Sequence, residues 1–326
     1  LLRAKVLATG AYAPRKVLTN RDLERMVDTS DEWITERTGI KERRIASEKE
    51  ATSDLAYEAS RDALKRAGLK PKHLDLIIVA TVTPDMPLPA TACLLQDRLG
   101  VKGIAAFDLN AACSGFIYAL GVADGLIRSG LYRRALVVGA EALSRITDWQ
   151  DRSTCVLFGD GAGAVVLEAT EEDRGILSVH LYADGSMGDL LMVPAGGSRM
   201  PPSQETVRRR LHYVKMKGNE TFKVAVKTLE RLVVETLKAN RLKPSDLALL
   251  IPHQANLRII KATAQRLKLP LEKVLLNLDR YGNTSAASVP MALHEAAVTG
   301  RLRKGDYVLL EAFGGGLTWA SALIKW

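Results

Sequence analysis

Residues 106–130 read AFDLNAACSGFIYALGVADGLIRSG: a short apolar strand, a tight turn that carries Cys113, and a helix. Phe107 and Leu109 alternate with polar neighbours, as a strand end does. Ile117, Leu120, Gly121, Asp124 and Ile127 recur at helical spacing, and Ser129-Gly130 closes the helix. Cys113 therefore stands at a helix start, where unpaired N–H groups and a partial positive charge favour a thiolate. On this reading its pKa is depressed and its sulfur is a nucleophile. Cys93, in ATACLLQDRL, and Cys155, in STCVLF, read instead as small buried hydrophobes. Only Cys113 has small neighbours (Ala111, Ala112, Ser114, Gly115) that leave room for a substrate.

A second copy of these surroundings follows. SDLAYEASRDALKR (53–66) reads as an amphipathic helix with a serine cap, LKPKHLD as a turn, and LIIVATV (76–82) as a buried strand. KVAVKTLERLVVETLKANR (223–241), LKPSDLA and LLI (249–251) repeat that order, and the Leu-Lys-Pro of 69–71 recurs at 242–244. In this register Ala80 falls opposite His253. Downstream, LLNLDRYGNTSAASVPMALHEAAVTG (275–300) repeats the strand, turn and helix around Cys113; Asn283 lies seventeen positions before Gly300, as Cys113 lies seventeen before Gly130. Each half ends in a glycine-rich turn and a last strand, FGDGAGAVVLEA and FGGGLTWASALIKW. GDGAGAVV is no phosphate loop, because a strand rather than a helix follows it. Gly314-Gly315-Gly316 follows a buried strand and can turn bare N–H groups toward an oxyanion. A tandem duplication accounts for all of this. It predicts an α/β fold of two halves, 1–172 and 173–326, whose corresponding turns bring Cys113, His253 and Asn283 to one pocket.

Composition narrows the partners. Of 326 residues 47% are apolar, enough for a large core, and the N-terminal LLRAKVLATGAY reads as a first strand rather than a signal peptide. No apolar run reaches membrane-spanning length. Three cysteines without paired spacing argue for a reducing compartment and against a disulfide framework, and no CxxC, HExxH or carboxylate cluster suggests a metal. The net charge of +9 suits an acidic partner. The charges are scattered, apart from Arg208-Arg209-Arg210, with few aromatics among them, which speaks against nucleic acid.

DTSDEWITERTGIKERR (28–44), AACSGFIYAL (111–120), DRSTCVLFGDGAGAV (151–165), IPHQANLRII (251–260), YGNTSAAS (281–288) and FGGGLTW (313–319) stand in an order that resembles the β-ketoacyl-acyl carrier protein synthase III family, within the thiolase-like superfamily. The resemblance runs from Tyr12 to Trp326. It implies a five-layered αβαβα sandwich, a cytoplasmic homodimer, and a first condensation of type II fatty acid synthesis. Acyl-CoA, as acetyl-CoA or another short primer, would acylate a cysteine and then condense with malonyl-acyl carrier protein, releasing CO2 and CoA. Coenzyme A is thus a substrate's handle, and no cofactor is implied. The resemblance matches Cys113, His253 and Asn283 to the catalytic set, and the N–H groups of Cys113 and Gly315 to the oxyanion hole. Thr29, Trp33, Arg37, Arg152, Gly218 and Asn256 match coenzyme A contacts, and Lys223 and Arg258 the surface that receives acyl carrier protein. Leu88 and Phe313 match the acyl pocket, Leu88 reaching it from the dimer partner. The segment AGGSRMPPSQETVRRRLHYVKMKG (195–218) departs from the family by its length and basicity and reads as a surface flap.

The chemistry of the three side chains is consistent with that assignment. Attack of a thiolate on a thioester makes a tetrahedral oxyanion that needs two N–H donors. Loss of CO2 from a malonyl thioester leaves an enolate oxygen, to which an imidazole N–H and an asparagine NH2 both donate without being consumed. Phe313 would disfavour the malonyl carboxylate by withholding solvation. Two other readings remain open on the sequence: a related acyltransferase or ketone-forming condensing enzyme using other acyl-CoA donors, and a non-catalytic acyl or nucleotide binder of the same fold.

Overall fold

The computed structural model describes residues 2–326 and contains two principal sheets. In the first, the strand order is Arg3–Tyr12, Gly161–Thr170, Arg134–Glu141, Leu76–Ala80, Ala105–Leu109. In the second it is Gly175–Ala183, Thr318–Lys325, Tyr307–Gly314, Leu247–Pro252. Read in chain order, the two sheets are built to one plan. Leu76–Ala80 is LIIVA with every residue buried, as a strand covered on both faces must be.

Helices Gly115–Arg128 and Ser288–Val298 lie between the sheets and share one apolar core with both, through Phe116, Ile117, Leu120, Val289 and Leu293. Helices Thr52–Ala67 and Thr91–Arg98 cover the outer face of the first sheet, and Gly218–Ala239 and Leu257–Arg266 that of the second. The layers therefore run helix, sheet, helix, sheet, helix.

Three local expectations are corrected. Ser53 does not cap its helix: Ala51 is the cap residue, its N–H bonded to Asp54 Oδ2 at 2.7 Å, while Ser53 Oγ donates to Asp85 at 2.6 Å. The glycine run at 159–163 is not a turn throughout; the strand begins at Gly161. A Cβ on Gly163 would lie 2.5 Å from Met291 N, so the missing side chains let the helix Ser288–Val298 rest on the strand. The strand expected at 275–278 is reduced to a single bridge between Val274 and Leu250. Gln254 takes up the hydrogen bonds there: its Nε2 donates to Pro252 O and Leu275 O, and its Oε1 accepts from Asn277 N and Leu278 N. Satisfied by a side chain, that backbone needs no further ladder partner.

Candidate active site

Cys113 lies in a 3-10 turn, Ala112–Ser114, just before the helix Gly115–Arg128. Asn110 Oδ1 accepts from Ala112 N at 3.1 Å and fixes the entry to the turn. The corresponding turn of the second half, Ser285–Ala287, packs directly on it. A third piece closes over both. A Cβ on Gly314 would stand 2.6 Å from Cys113 N and 2.9 Å from Cys113 Cβ, so only glycine permits this approach. Thr318 Oγ1 donates to Ala111 O at 2.8 Å and holds the 314–316 turn beside the cysteine. The Cys113 and Gly315 N–H groups have no backbone acceptor among the described residues and are free to bind an oxyanion.

Asn283 is clamped by its backbone, N to Leu157 O at 2.9 Å and O from Gly159 N at 3.0 Å. Its Oδ1 accepts from Ser285 N at 2.9 Å, which leaves the NH2 to donate. His253 follows the strand Leu247–Pro252, with its N–H on Glu311 O at 2.8 Å. Its Nδ1 lies 2.5 Å from Ser288 Oγ. Gln254 N–H points at the same oxygen from 3.4 Å. The Ser288 hydroxyl can donate to Nδ1, and in that tautomer the ring presents Nε2–H. Ser288 is thus a functional residue that sequence reasoning missed; its signal was its place in YGNTSAAS, three residues after Ser285. Burial lowers the His253 pKa to about 4, so the imidazole is neutral near pH 7.

The expected depression of the Cys113 pKa is reversed. Burial pushes the thiol up to about 11, against a hydrogen bond from Ser285 that favours the thiolate, and Glu141 adds to the rise. Cys113 is 7% exposed, and the loss of solvent disfavours its thiolate.

An apolar cavity of about 290 Å³ opens beside Cys113, with Ser285 and Gly315 at its polar end and Val82, Ile146, Phe158, Leu191 and Val214 among its walls. Phe313, expected in the acyl pocket, is not among these walls, and Leu88, expected to reach the pocket of the dimer partner, does not line the cavity of its own chain. Leu88 is 84% exposed on a surface loop, and Phe313 packs in a separate cluster with Leu190 and Leu229. The 195–218 segment, expected as a surface flap, is part of the site: Val214 lines the cavity and its N–H donates to Ile146 O at 2.8 Å. The segment folds into a short helix, Gln204–Arg208, and a strand, Lys215–Met216. All three of its consecutive arginines are paired, Arg208 and Arg209 with Glu205 and Arg210 with Asp148.

Trp33 gathers two guanidinium groups, Arg152 at 4.5 Å and Arg37 at 5.7 Å from the ring centre. Asn256 Nδ2 donates to Arg37 O at 3.1 Å, and Thr29 Oγ1 is buried beside this region of the chain without a partner. This is an aromatic plate with two cations, suited to a purine and its phosphates. Gly218 is exposed at the start of its helix, and exposed Lys223 follows Phe222, over which Arg258 sits at 5.3 Å.

Residues 107–185 match the family model described as 3-oxoacyl-[acyl-carrier-protein (ACP)] synthase III, and residues 237–326 match the model of its C terminal. The chain is 59% identical over 325 residues to the β-ketoacyl-[acyl-carrier-protein] synthase III of Caldanaerobacter subterraneus subsp. tengcongensis, covering 100% of this chain and 98% of that one. The crystal structure of 3-oxoacyl-[acyl-carrier-protein] synthase III from Aquifex aeolicus superposes with a TM-score of 0.92 at 52% identity, covering 99% of this chain and 100% of that one. The corresponding Thermus thermophilus structure gives 0.93 at 50%, covering 99% of each.

Proposed function

This chain belongs to the β-ketoacyl-[acyl-carrier-protein] synthase III family, has its thiolase-like fold and is the condensing enzyme that initiates fatty acid synthesis, and we propose that its chemistry runs through Cys113, His253 and Asn283. Acyl-CoA and malonyl-acyl carrier protein are its substrates. Cys113 attacks the acyl-CoA thioester, the N–H groups of Cys113 and Gly315 hold the oxyanion, and CoA leaves with the acyl group parked on sulfur. Acetyl-CoA or another short primer fits a cavity of about 290 Å³. Malonyl thioester then loses CO2, and the enolate oxygen takes hydrogen bonds from His253 Nε2–H and the Asn283 NH2. The enolate carbon attacks the acyl-cysteine to give 3-oxoacyl-acyl carrier protein. The observation that carries this reading is the packing of the Cys113 turn on Ser285–Ala287 under Gly314, with both neutral donors oriented by their own hydrogen bonds.

Trp33, Arg37, Arg152, Thr29, Asn256 and Gly218 bind coenzyme A, with the adenine on Trp33 and its phosphates met by arginine. Lys223 and Arg258 receive the acidic carrier protein. The enzyme works as a cytoplasmic homodimer, uses no metal or cofactor, and its two halves meet near residues 172 and 173. None of its helices is long and apolar enough to cross a membrane. Incubation with labelled acetyl-CoA followed by peptide mapping tests the central assignment. The label is expected on Cys113 alone and is expected to vanish in Cys113→Ala; label on Cys93 or Cys155 overturns it.

A further inference from the structure

The run Arg208-Arg209-Arg210 has no part in the condensation above, and its members behave differently. Arg208 and Arg209 turn back on Glu205 within their own short helix, Gln204–Arg208. Arg210 reaches out of the segment to Asp148, a buried carboxylate two residues beyond the cavity wall at Ile146. Its Nε donates to Oδ1 and Oδ2 at 3.2 and 3.0 Å, and its Nη2 donates to Oδ1 as well. A planar fork on a carboxylate fixes direction as well as distance. The backbone of Arg210 is unusual too. Its N–H donates to Val207 O at 2.9 Å, the N–H of Leu211 donates to Thr206 O at 3.0 Å, and its φ is 54. This is the helix-ending position where glycine is usual, because a side chain there is strained. An arginine kept at such a point is explained by what its guanidinium holds.

What it holds is one wall of the cavity. The guanidinium lies over the Tyr213 ring, 5.0 Å from its centre. Lys215 Nζ stands 3.5 Å from Asp148 Oδ2. Val214, between these two residues, lines the cavity and donates its N–H to Ile146 O at 2.8 Å. Lys215 and Met216 then pair with Met192 and Leu191, which line the same cavity. The segment is thus tied to the 146–148 stretch on both sides of Val214.

We propose that Arg210 is a positioning residue for primer choice: by gripping Asp148 it holds Val214 against Ile146 and so limits the length of acyl chain that the cavity admits. This rests on the cavity beside Cys113 being the seat of the primer. Arg210 touches no substrate and acts through Val214. Once the grip is lost, the wall gives way to a longer chain. One methylene in an apolar pocket changes discrimination by roughly tenfold or more, so a small retreat of one wall is read in the primer profile.

Rapid-quench loading of Cys113 by acetyl-CoA and by hexanoyl-CoA, compared as second-order rates, tests the assignment, with a melting temperature taken for every variant. Arg210→Gly removes the guanidinium, suits the left-handed backbone and leaves Lys215 to meet Asp148. It is expected to raise the hexanoyl-to-acetyl ratio about tenfold. Asp148→Asn reads the same contact from its other end, is expected to raise the ratio similarly, and carries the test if Arg210→Gly does not fold. The double variant should go no further than either single one, because both remove one contact. Arg208→Ala takes away a cation that is paired within its own helix and should keep the wild-type ratio. A rise in Arg208→Ala equal to that in Arg210→Gly would make the effect one of charge toward coenzyme A and overturn the proposal. A wild-type ratio in folded Arg210→Gly and Asp148→Asn overturns it as well, whatever their melting temperatures, and leaves Arg210 a stabilising residue only. Val214→Ala keeps the two readings apart. It should raise the ratio by itself; if it does not, the cavity is not the seat of the primer and both readings fall.

Discussion

At the scale of single residues, the site separates two jobs by protonation state. In the proposed mechanism the oxyanion donors for acylation are backbone N–H groups of Cys113 and Gly315, which side-chain substitution does not remove. The donors proposed for decarboxylation are side chains, His253 and Asn283, each held by a hydrogen bond. His253→Ala and Asn283→Ala are therefore expected to leave Cys113 acylation largely intact in rapid-quench experiments. Release of labelled CO2 from malonyl-acyl carrier protein should fall roughly a hundred- to thousandfold, about 2.7–4 kcal/mol for one donor to a developing oxyanion. The double variant should lose less than the sum, because both donors serve one oxygen. Acylation abolished with decarboxylation intact would instead make His253 a base toward the cysteine. The depressed His253 pKa, about 4, also fixes the pH behaviour: the donor state persists down to about pH 4, so His253 places no inflection on decarboxylation between about pH 5 and 8.

Elements were legible where one face repeats and obscure where a side chain replaces a backbone partner. The helix 53–66, the strand 76–82 and their second copies showed through apolar spacing and the shared Leu-Lys-Pro, and the matching strand orders follow from them. The bridge at Val274 did not show, since nothing in LLNL announces that Gln254, twenty residues earlier, supplies its hydrogen bonds. Register alone placed Cys113, His253 and Asn283 on corresponding turns, and the turns at 112–114 and 285–287 do pack together, whereas Leu88 carried no local signal. The strand Tyr307–Gly314 hides an acid. Glu311 lies between Leu309 and Phe313, both packed on the outer face of the second sheet, and neither of its carboxylate oxygens has a hydrogen-bond partner. Burial raises its pKa to about 8. The folded state then holds a proton that the unfolded state releases above pH ~4.5, so its contribution weakens as pH rises from there to 8, by about 1.4 kcal/mol per pH unit at most. Glu311→Gln removes this dependence. Its melting temperature relative to wild type is expected to climb between pH 5 and pH 8; a constant difference across that range would show that the carboxyl is not held neutral by the fold.

At the scale of the whole molecule, partners must reach the cavity from outside the chain, and the surface offers a charged approach and an apolar one. Arg258 and Lys223 are exposed near each other, so Arg258→Glu should weaken use of malonyl-acyl carrier protein, as added salt does, while free acyl-CoA still loads Cys113. Equal damage to both half-reactions would make Arg258 structural. The apolar approach is the loop that carries Leu88. Its base is braced: Asp85 accepts from Ser53, Asp85 N donates to Thr91 Oγ1 at 3.2 Å, and Asp108 accepts from Thr91 N and Ala92 N at 2.7 Å. A leucine 84% exposed at the tip of so fixed a loop has little reason to stay in water. Because it lies outside the walls of its own cavity, any influence on primer length must pass to a second copy of the chain. Mixed dimers separate the two routes. When one chain carries Cys113→Ala, only the other chain's cavity is loaded. Leu88→Trp placed in the chain with Cys113→Ala should shift primer choice toward shorter acyl-CoA by roughly tenfold, the scale of a methylene or two in an apolar pocket. The same substitution placed in the chain with the intact cysteine should change nothing. A shift only in the second arrangement would mean that Leu88 serves its own cavity, and a protein that sediments as a monomer would remove the partner altogether.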